Sequence, residues 1–168
     1  DLAWLGPSPD GSTTFPAPDH VAPATYEEAW LRIGITTPGA VVARREDVLT
    51  AGGFPENMAF SGADDRGLWL ELVARGVLPV RNPYVGLHYR IHAAQASRGA
   101  RQKRAKLALF AAYATRTASD PRAGPAGRHA LVSAEVAARK LASLRIDLAA
   151  DLLDVDLAEA DREAEAAR

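Results

Sequence analysis

The stretch GGFPENMAFSGADDRGLWLE, residues 52–71, holds the densest run of structural signals in the chain. Its two glycines stop a preceding helix, because glycine takes the left-handed position after a helix end at little cost. Phe54 and a short loop follow. Asp64 and Asp65 then stand in the first turn of a helix expected over residues 62–75 and ended by Gly76. Leu68, Trp69, Leu72 and Val73 share one face of that helix at 3.6-residue spacing. Ser61 is its expected N-cap, with Asp64 three residues on as a weak capping-box partner. Asp65 and Trp69 are four apart and lie on one side of the helix.

Upstream, residues 1–25 are rich in Pro, Gly, Ser and Thr and read as loop. Residues 26–33 form a short helix with Thr25 as N-cap and Trp30 and Ile33 as its apolar positions. Residues 39–43 are small and β-branched and read as a buried strand. Residues 45–51 read as a short helix stopped by Gly52–Gly53.

Downstream, residues 77–80 read as a strand that Pro79 confines to an edge. Residues 85–92 alternate most clearly: Val85, Leu87, Tyr89 and Ile91 against Gly86, His88, Arg90 and His92. After Ser97 the composition turns rich in Ala, Arg and Leu. Helical patterns run over about 100–118 and 128–150, broken by SDPRAGPAG at residues 119–127, and an acidic helical tail follows from about 151. There is no internal repeat. This pattern gives an α/β unit over residues 1–98 and a helical extension over residues 99–168.

Composition narrows the function. The chain has 168 residues, enough for one domain with a core. A net charge of −1 points away from nucleic acid. Without cysteine there is neither a disulfide nor a thiolate metal site, which suits a reducing compartment. No run approaches the ~20 apolar residues that cross a bilayer. No signal peptide is visible. The first residue is Asp1 rather than Met, so the chain is expected to begin upstream.

Gly52–Gly53–Phe54, the loop after it, and Asp64–Asp65 before Leu68–Trp69–Leu70 together resemble the acceptor-side signature of inverting family-2 glycosyltransferases of the GT-A fold. The resemblance covers residues 30–98 well and residues 1–29 loosely. It implies the C-terminal, acceptor-binding part of a GT-A nucleotide-diphospho-sugar transferase domain, followed by the helical extension. It implies transfer of a sugar from a nucleotide-sugar donor to a glycan or lipid-linked acceptor, with Asp65 as catalytic base. Asp64, Gly52, Gly53, Trp69 and Arg90 are the implied substrate-binding residues. HYRIH at residues 88–92 is similar to the family's Y-R-x-H element, which implies His92 as a metal or phosphate ligand. The implied cofactor is a divalent metal, Mg or Mn, held mainly by a D-x-D half. Nothing in residues 1–50 matches that half, so the isolated chain is expected to be inactive. The implied location is cytoplasmic, with the inner membrane face as a surface for peripheral contact. Gly67 departs from the family, which usually carries an acid or similar polar residue there.

Each residue also has a plainer explanation. Carboxylates favour first helical turns, by ~0.3–1 kcal/mol each. Gly52–Gly53 make a helix cap, and Phe54 reads best as a buried aromatic anchor. His88, Arg90 and His92 fit the solvated face of a strand as well as a ligand set. Arg98, Arg101, Lys103, Arg104 and Lys106 precede LALFAAYA, so they mark either a solvated helix face or a helix that lies on an anionic membrane surface or guides a lipid-phosphate acceptor. Asp154–Val155–Asp156 spells D-x-D, but it follows the signature and lies in the acidic tail, where it reads as a charged helix face. The competing class is a non-enzymatic helical interaction module built on residues 99–168. A different nucleotide-dependent α/β enzyme lacks support, because no Gly-rich phosphate loop is present.

Overall fold

The computed structural model describes residues 23–32, 37–80, 99–115, 132–153 and 156–168. Six α-helices run through them: α1 Tyr26–Arg32, α2 Arg45–Thr50, α3 Asp64–Ala74, α4 Ala100–Ala114, α5 Ala134–Leu152 and α6 Leu157–Ala166. Two 3-10 turns, Pro38–Ala40 and Met58–Phe60, flank α2. Among the described residues there is no strand and no sheet. The α/β reading is therefore corrected: the described architecture is all-helical.

The two expected strands that can be checked fail for a shared reason. Of residues 39–43, Gly39 and Ala40 belong to a 3-10 turn and the remaining three form no strand, with Val42 fully exposed. Residues 77–80 are irregular, with Leu78 and Val80 exposed. β-branched residues fit a pleated, half-buried surface, and among the described residues no neighbouring strand supplies one. The expected strand over residues 85–92 lies outside the described residues.

Local chemistry sets the helix ends. Thr25 caps α1, its hydroxyl accepting from the Glu28 N–H at 3.1 Å. The Glu28 carboxylate reaches back to the Ala24 N–H at 2.8 Å. Both α2 and α3 end in the same hydrogen-bond pair around a left-handed glycine. Gly52, at φ 86°, donates to the Leu49 carbonyl, and Gly53 donates to that of Val48. Gly76, at φ 84°, donates to the Val73 carbonyl, and Val77 donates to that of Leu72. Ser133 caps α5. Asp156 caps α6, accepting from the Glu159 N–H at 3.0 Å.

The core centres on α3. Gly67 through Ala74 are all buried, Glu71 included. The one-faced reading of this helix is corrected, because Leu70 and Ala74 are as hidden as Leu68 and Trp69. A helix buried all round lies in a core, and a charge within it needs a partner. The Arg75 Nε supplies one, 3.1 Å from Glu71 Oε1. From α1, Trp30 meets Tyr26 and the Phe110 ring of α4 edge to face, at centroid distances of 6.3 and 5.0 Å. One apolar cluster joins Tyr26, Trp30, Leu68 and Leu70 to Leu109, Phe110, Ala137 and Leu144. The cluster thus draws on residues from both sides of position 98.

Helix α6 is held differently. It buries only Ala160, against Leu148 and Leu152 of α5. Ion pairs do the rest: Arg104 with Glu159, and Arg145 with Glu163 at 3.6 Å.

Candidate functional site

The site is built where the loop after α2 runs into α3. Three contacts fix that junction. The Phe54 ring meets Trp69 edge to face at 6.4 Å. Pro55 packs on Gly67 so closely that a Cβ there would lie 2.5 Å from the proline Cγ. The Tyr113 hydroxyl of α4 donates to the Gly67 carbonyl at 3.2 Å. Gly67 is thus a packing requirement, which accounts for glycine at this position of the motif. Phe60 and Ala63, both buried, complete the turn.

Asp64 and Asp65 are the first two residues of α3. The expected Ser61 cap is corrected: Ala63 occupies the N-cap position and makes no side-chain cap bond. Asp64 Oδ1 instead accepts from the Gly62 N–H at 3.1 Å. Asp65 Oδ1 accepts from the Arg66 N–H at 2.7 Å. Both carboxylates are partly buried.

Their electrostatics are set by what faces them. Burial is the largest influence on Asp65 and raises its pKa above the ordinary carboxylate value. The Arg66 N–H and the charges of Arg66 and Lys106 oppose that rise, while Asp64 adds to it. Burial and the neighbouring Arg66 lower the Lys106 ammonium to about 8, against the pull of Asp65 and Asp147. Lys140 of α5 is lowered by burial and by Arg66, again with Asp147 opposing. Burial lowers Arg66 as well, with Asp65 opposing. The N-terminus of α3 therefore faces cations from α4 and α5.

The sequence-derived residues separate into three groups. Asp64, Asp65 and Trp69 all stand on α3. Trp69 belongs mainly to the core, at 9% exposure. Gly52 and Gly53 form the α2 cap, with open space where a side chain would stand. Arg90, His88 and His92 lie outside the described residues, as do Asp154 and Val155. Phe54 is corrected from a buried anchor to a half-exposed ring, at 43%. Of the basic run, Arg101 is exposed and Lys103 pairs with Asp151 at 2.7 Å. Arg104 pairs with Glu159, and Lys106 is partly buried within electrostatic reach of Arg66 and Asp65.

Lys140 and Asp147 are residues near Asp65 and Arg66 that sequence reasoning missed, and Lys106 was read only as part of the basic run. Helical spacing could have found them. Lys106 shares the register of Leu109, Phe110 and Tyr113, the buried face of α4. Lys140 shares that of Ala137 and Leu144 on α5.

Among the described residues no group of three or more His, Cys, Asp or Glu side chains could hold a metal ion. No helix there is long and apolar enough to cross a membrane. No protein-family model, no curated protein and no solved structure matches the chain.

Proposed function

We propose that the chain is the acceptor-side part of a glycosyltransferase, in which Asp65 is the general base for sugar transfer from a nucleotide-sugar donor to an acceptor hydroxyl. The observation that carries this is the placement of Asp65. It is a partly desolvated carboxylate at a loop–helix junction held by Pro55, Phe54 and Tyr113. A base is effective when its pKa is raised toward the working pH and its position is fixed by its surroundings. Asp65 takes the proton as the acceptor oxygen attacks the anomeric carbon. The nucleoside diphosphate leaves from the opposite face, which inverts the configuration. The Phe54 ring, half-exposed one helical turn away against Trp69, offers an apolar surface for a sugar ring. A separate donor half holds the nucleotide and its Mg or Mn, so the chain alone turns over no sugar. The setting is cytoplasmic, where a glycan or a lipid-linked acceptor at the inner membrane face meets the donor.

The test is sugar transfer by the full-length parent and its Asp65→Asn variant. Loss of a positioned base lowers turnover by about 10²–10⁴-fold. Unchanged turnover removes Asp65 from the mechanism.

One observation favours a second reading, a non-enzymatic interaction module. Within residues 99–168, Ile146, Leu153 and Leu157 are more than half exposed, and the described part of that segment is helical. The reading frame upstream of Asp1 separates the two. A strand-rich half with D-x-D supports the enzyme, and an unrelated domain supports the module.

A further inference from the structure

We infer that the face of α4 and α5 beneath α6 is a docking site for an acidic amphipathic helix of a partner protein, and that α6 occupies it as a built-in competitor. This surface has no part in the sugar transfer proposed above.

Helix α6 covers a floor made by Leu148 and Leu152 of α5, with Ala100 and Leu107 of α4 packed against it. Two guanidinium groups border that floor. Arg104 of α4 holds both Glu159 oxygens, its Nε donating to Oε1 at 2.8 Å and its Nη2 to Oε2. Arg145 of α5 has its Nε 3.6 Å from Glu163 Oε2, and its Nη1 donates to the Ala166 carbonyl at 3.2 Å. Glu159 and Glu163 are four residues apart, so their carboxylates leave the same side of α6. Ala160, buried, lies between them on the floor. The surface thus selects a helix with two acids at i and i+4 and an apolar residue at i+1.

Helix α6 fills this seat incompletely. It buries one alanine, and Leu157, three residues before it, is left 65% exposed. Glu163 Oε2 is shut off from solvent without a hydrogen bond among the described residues, which is a cost to the bound arrangement. The Arg104–Glu159 pair lies near solvent, where ion pairs contribute little and are screened by salt. A helix that lays a larger apolar side chain on Leu148 and Leu152, and hydrogen-bonds both arginines, fits better and has only this modest hold to displace. The fork of each arginine matches a single carboxylate. A floor centred on two leucines accommodates one helix and offers little to the acyl chains of a membrane.

Native-state hydrogen exchange of the whole chain in rising urea is the first test. Residues 157–166 are expected to open at a lower denaturant concentration than residues 67–74, in a step that leaves the latter protected. Opening of α6 only together with α3 overturns the proposal. The second test uses a peptide of residues 156–168, held helical by a hydrocarbon bridge between the exposed positions 161 and 165. Ala160→Asp in the full chain puts an acid on the apolar floor, frees its own α6 and adds no positive charge. The peptide is expected to bind that variant saturably, about tenfold or more tighter than it binds wild type. Arg104→Gln with Arg145→Gln in the same variant should weaken binding about tenfold or more. No binding to an Ala160→Asp chain whose residues 67–74 stay protected, equal affinity for wild type, or indifference to the arginines overturns the proposal.

Wild type alone gives a further reading. Excess peptide should accelerate exchange in residues 157–166 and leave residues 67–74 unchanged, and a peptide with Gln at positions 159 and 163 should not. Exchange unmoved by the acidic peptide overturns the competition. A concentration-dependent dimer that blocks peptide binding puts a second copy in the seat and overturns the foreign helix. Capture of the Ala160→Asp chain by phosphatidylglycerol vesicles, without peptide binding, assigns the surface to a membrane and overturns it too. None of these measurements reads sugar transfer, so the Asp65→Asn test of the parent succeeds or fails separately.

Discussion

Helices α3 and α6 are of similar length and are held in opposite ways. From Gly67 onward α3 is buried on every side, and its position is set by apolar packing. Helix α6 buries Ala160 alone and is tied on by charge. Packing is collective and insensitive to salt, whereas exposed ion pairs contribute little and are screened. The contrast explains where a chemical group can be held still. The polar first turn of α3 borrows rigidity from the buried turns behind it, so a desolvated Asp65 is tolerated there. A carboxylate on α6 has no such anchorage.

Breaking the packed side should have the largest effect. Leu70 is fully buried in α3, and Leu70→Ala is expected to cost about 3 kcal/mol in urea unfolding. A cost comparable to that of an α6 surface substitution would erase the distinction. Gly67→Ala forces Pro55 and Leu109 apart and should cost about 2 kcal/mol, despite alanine's better helix propensity. Its sharper readout is at the site: if the proposed function holds, loosening the Pro55 contact should lower sugar transfer by the parent even where the fold survives.

The polar turn of α3 sharpens the contrast through pH. Burial raises the folded-state pKa of Asp65 above its unfolded value. The folded chain then binds the extra proton, and stability falls as pH rises through that interval. Asn keeps the acceptor for the Arg66 N–H and removes the charge. Asp65→Asn should therefore melt above wild type at pH 7, and the difference should shrink on acidification below the ordinary carboxylate range. Lys106 has the opposite slope. Its folded value near 8 lies below the ordinary 10.5, so the unfolded chain holds the proton longer and stability rises with pH between them. Chemical denaturation at pH 7 and at higher pH should show that rise, diminished in Lys106→Met. A flat profile would mean that the cations near Asp65 are well solvated.

The smallest effect belongs to α6. Glu159→Gln removes the partner of Arg104 and should leave global unfolding nearly unchanged. Hydrogen exchange in residues 157–166 should accelerate, as added salt also makes it do. Equal protection of α3 and α6 in wild type would show that packing governs both.

Local features were legible and distant ones were not. The glycine stops at Gly52 and Gly76, the Thr25 cap, and the helices around 26–32, 45–50, 64–74 and 100–114 follow from spacing and from positive φ. Asp156, read in the sequence as part of a charged helix face, is instead the N-cap of α6, while Asp154 and Val155 lie outside the described residues. The strand readings at 39–43 and 77–80 did not survive, because a β-rich composition makes a strand only beside another. The site was half legible. Asp64 and Asp65 stand out in the sequence. Lys106 was absorbed into a basic run, although its register with Leu109 and Phe110 turns it inward.

The sequence alone determined the Thr25 cap, the glycine stops after α2 and α3 and the presence of two acids at the head of α3. Those depend on hydrogen bonds and dihedral preferences within a few residues. Tertiary structure decided that α3 is buried all round, that Gly67 receives Pro55, and that Lys106 and Lys140 are partly buried within electrostatic reach of Arg66. Burial and desolvation are set by whatever packs from tens of residues away, and no local pattern carries that information.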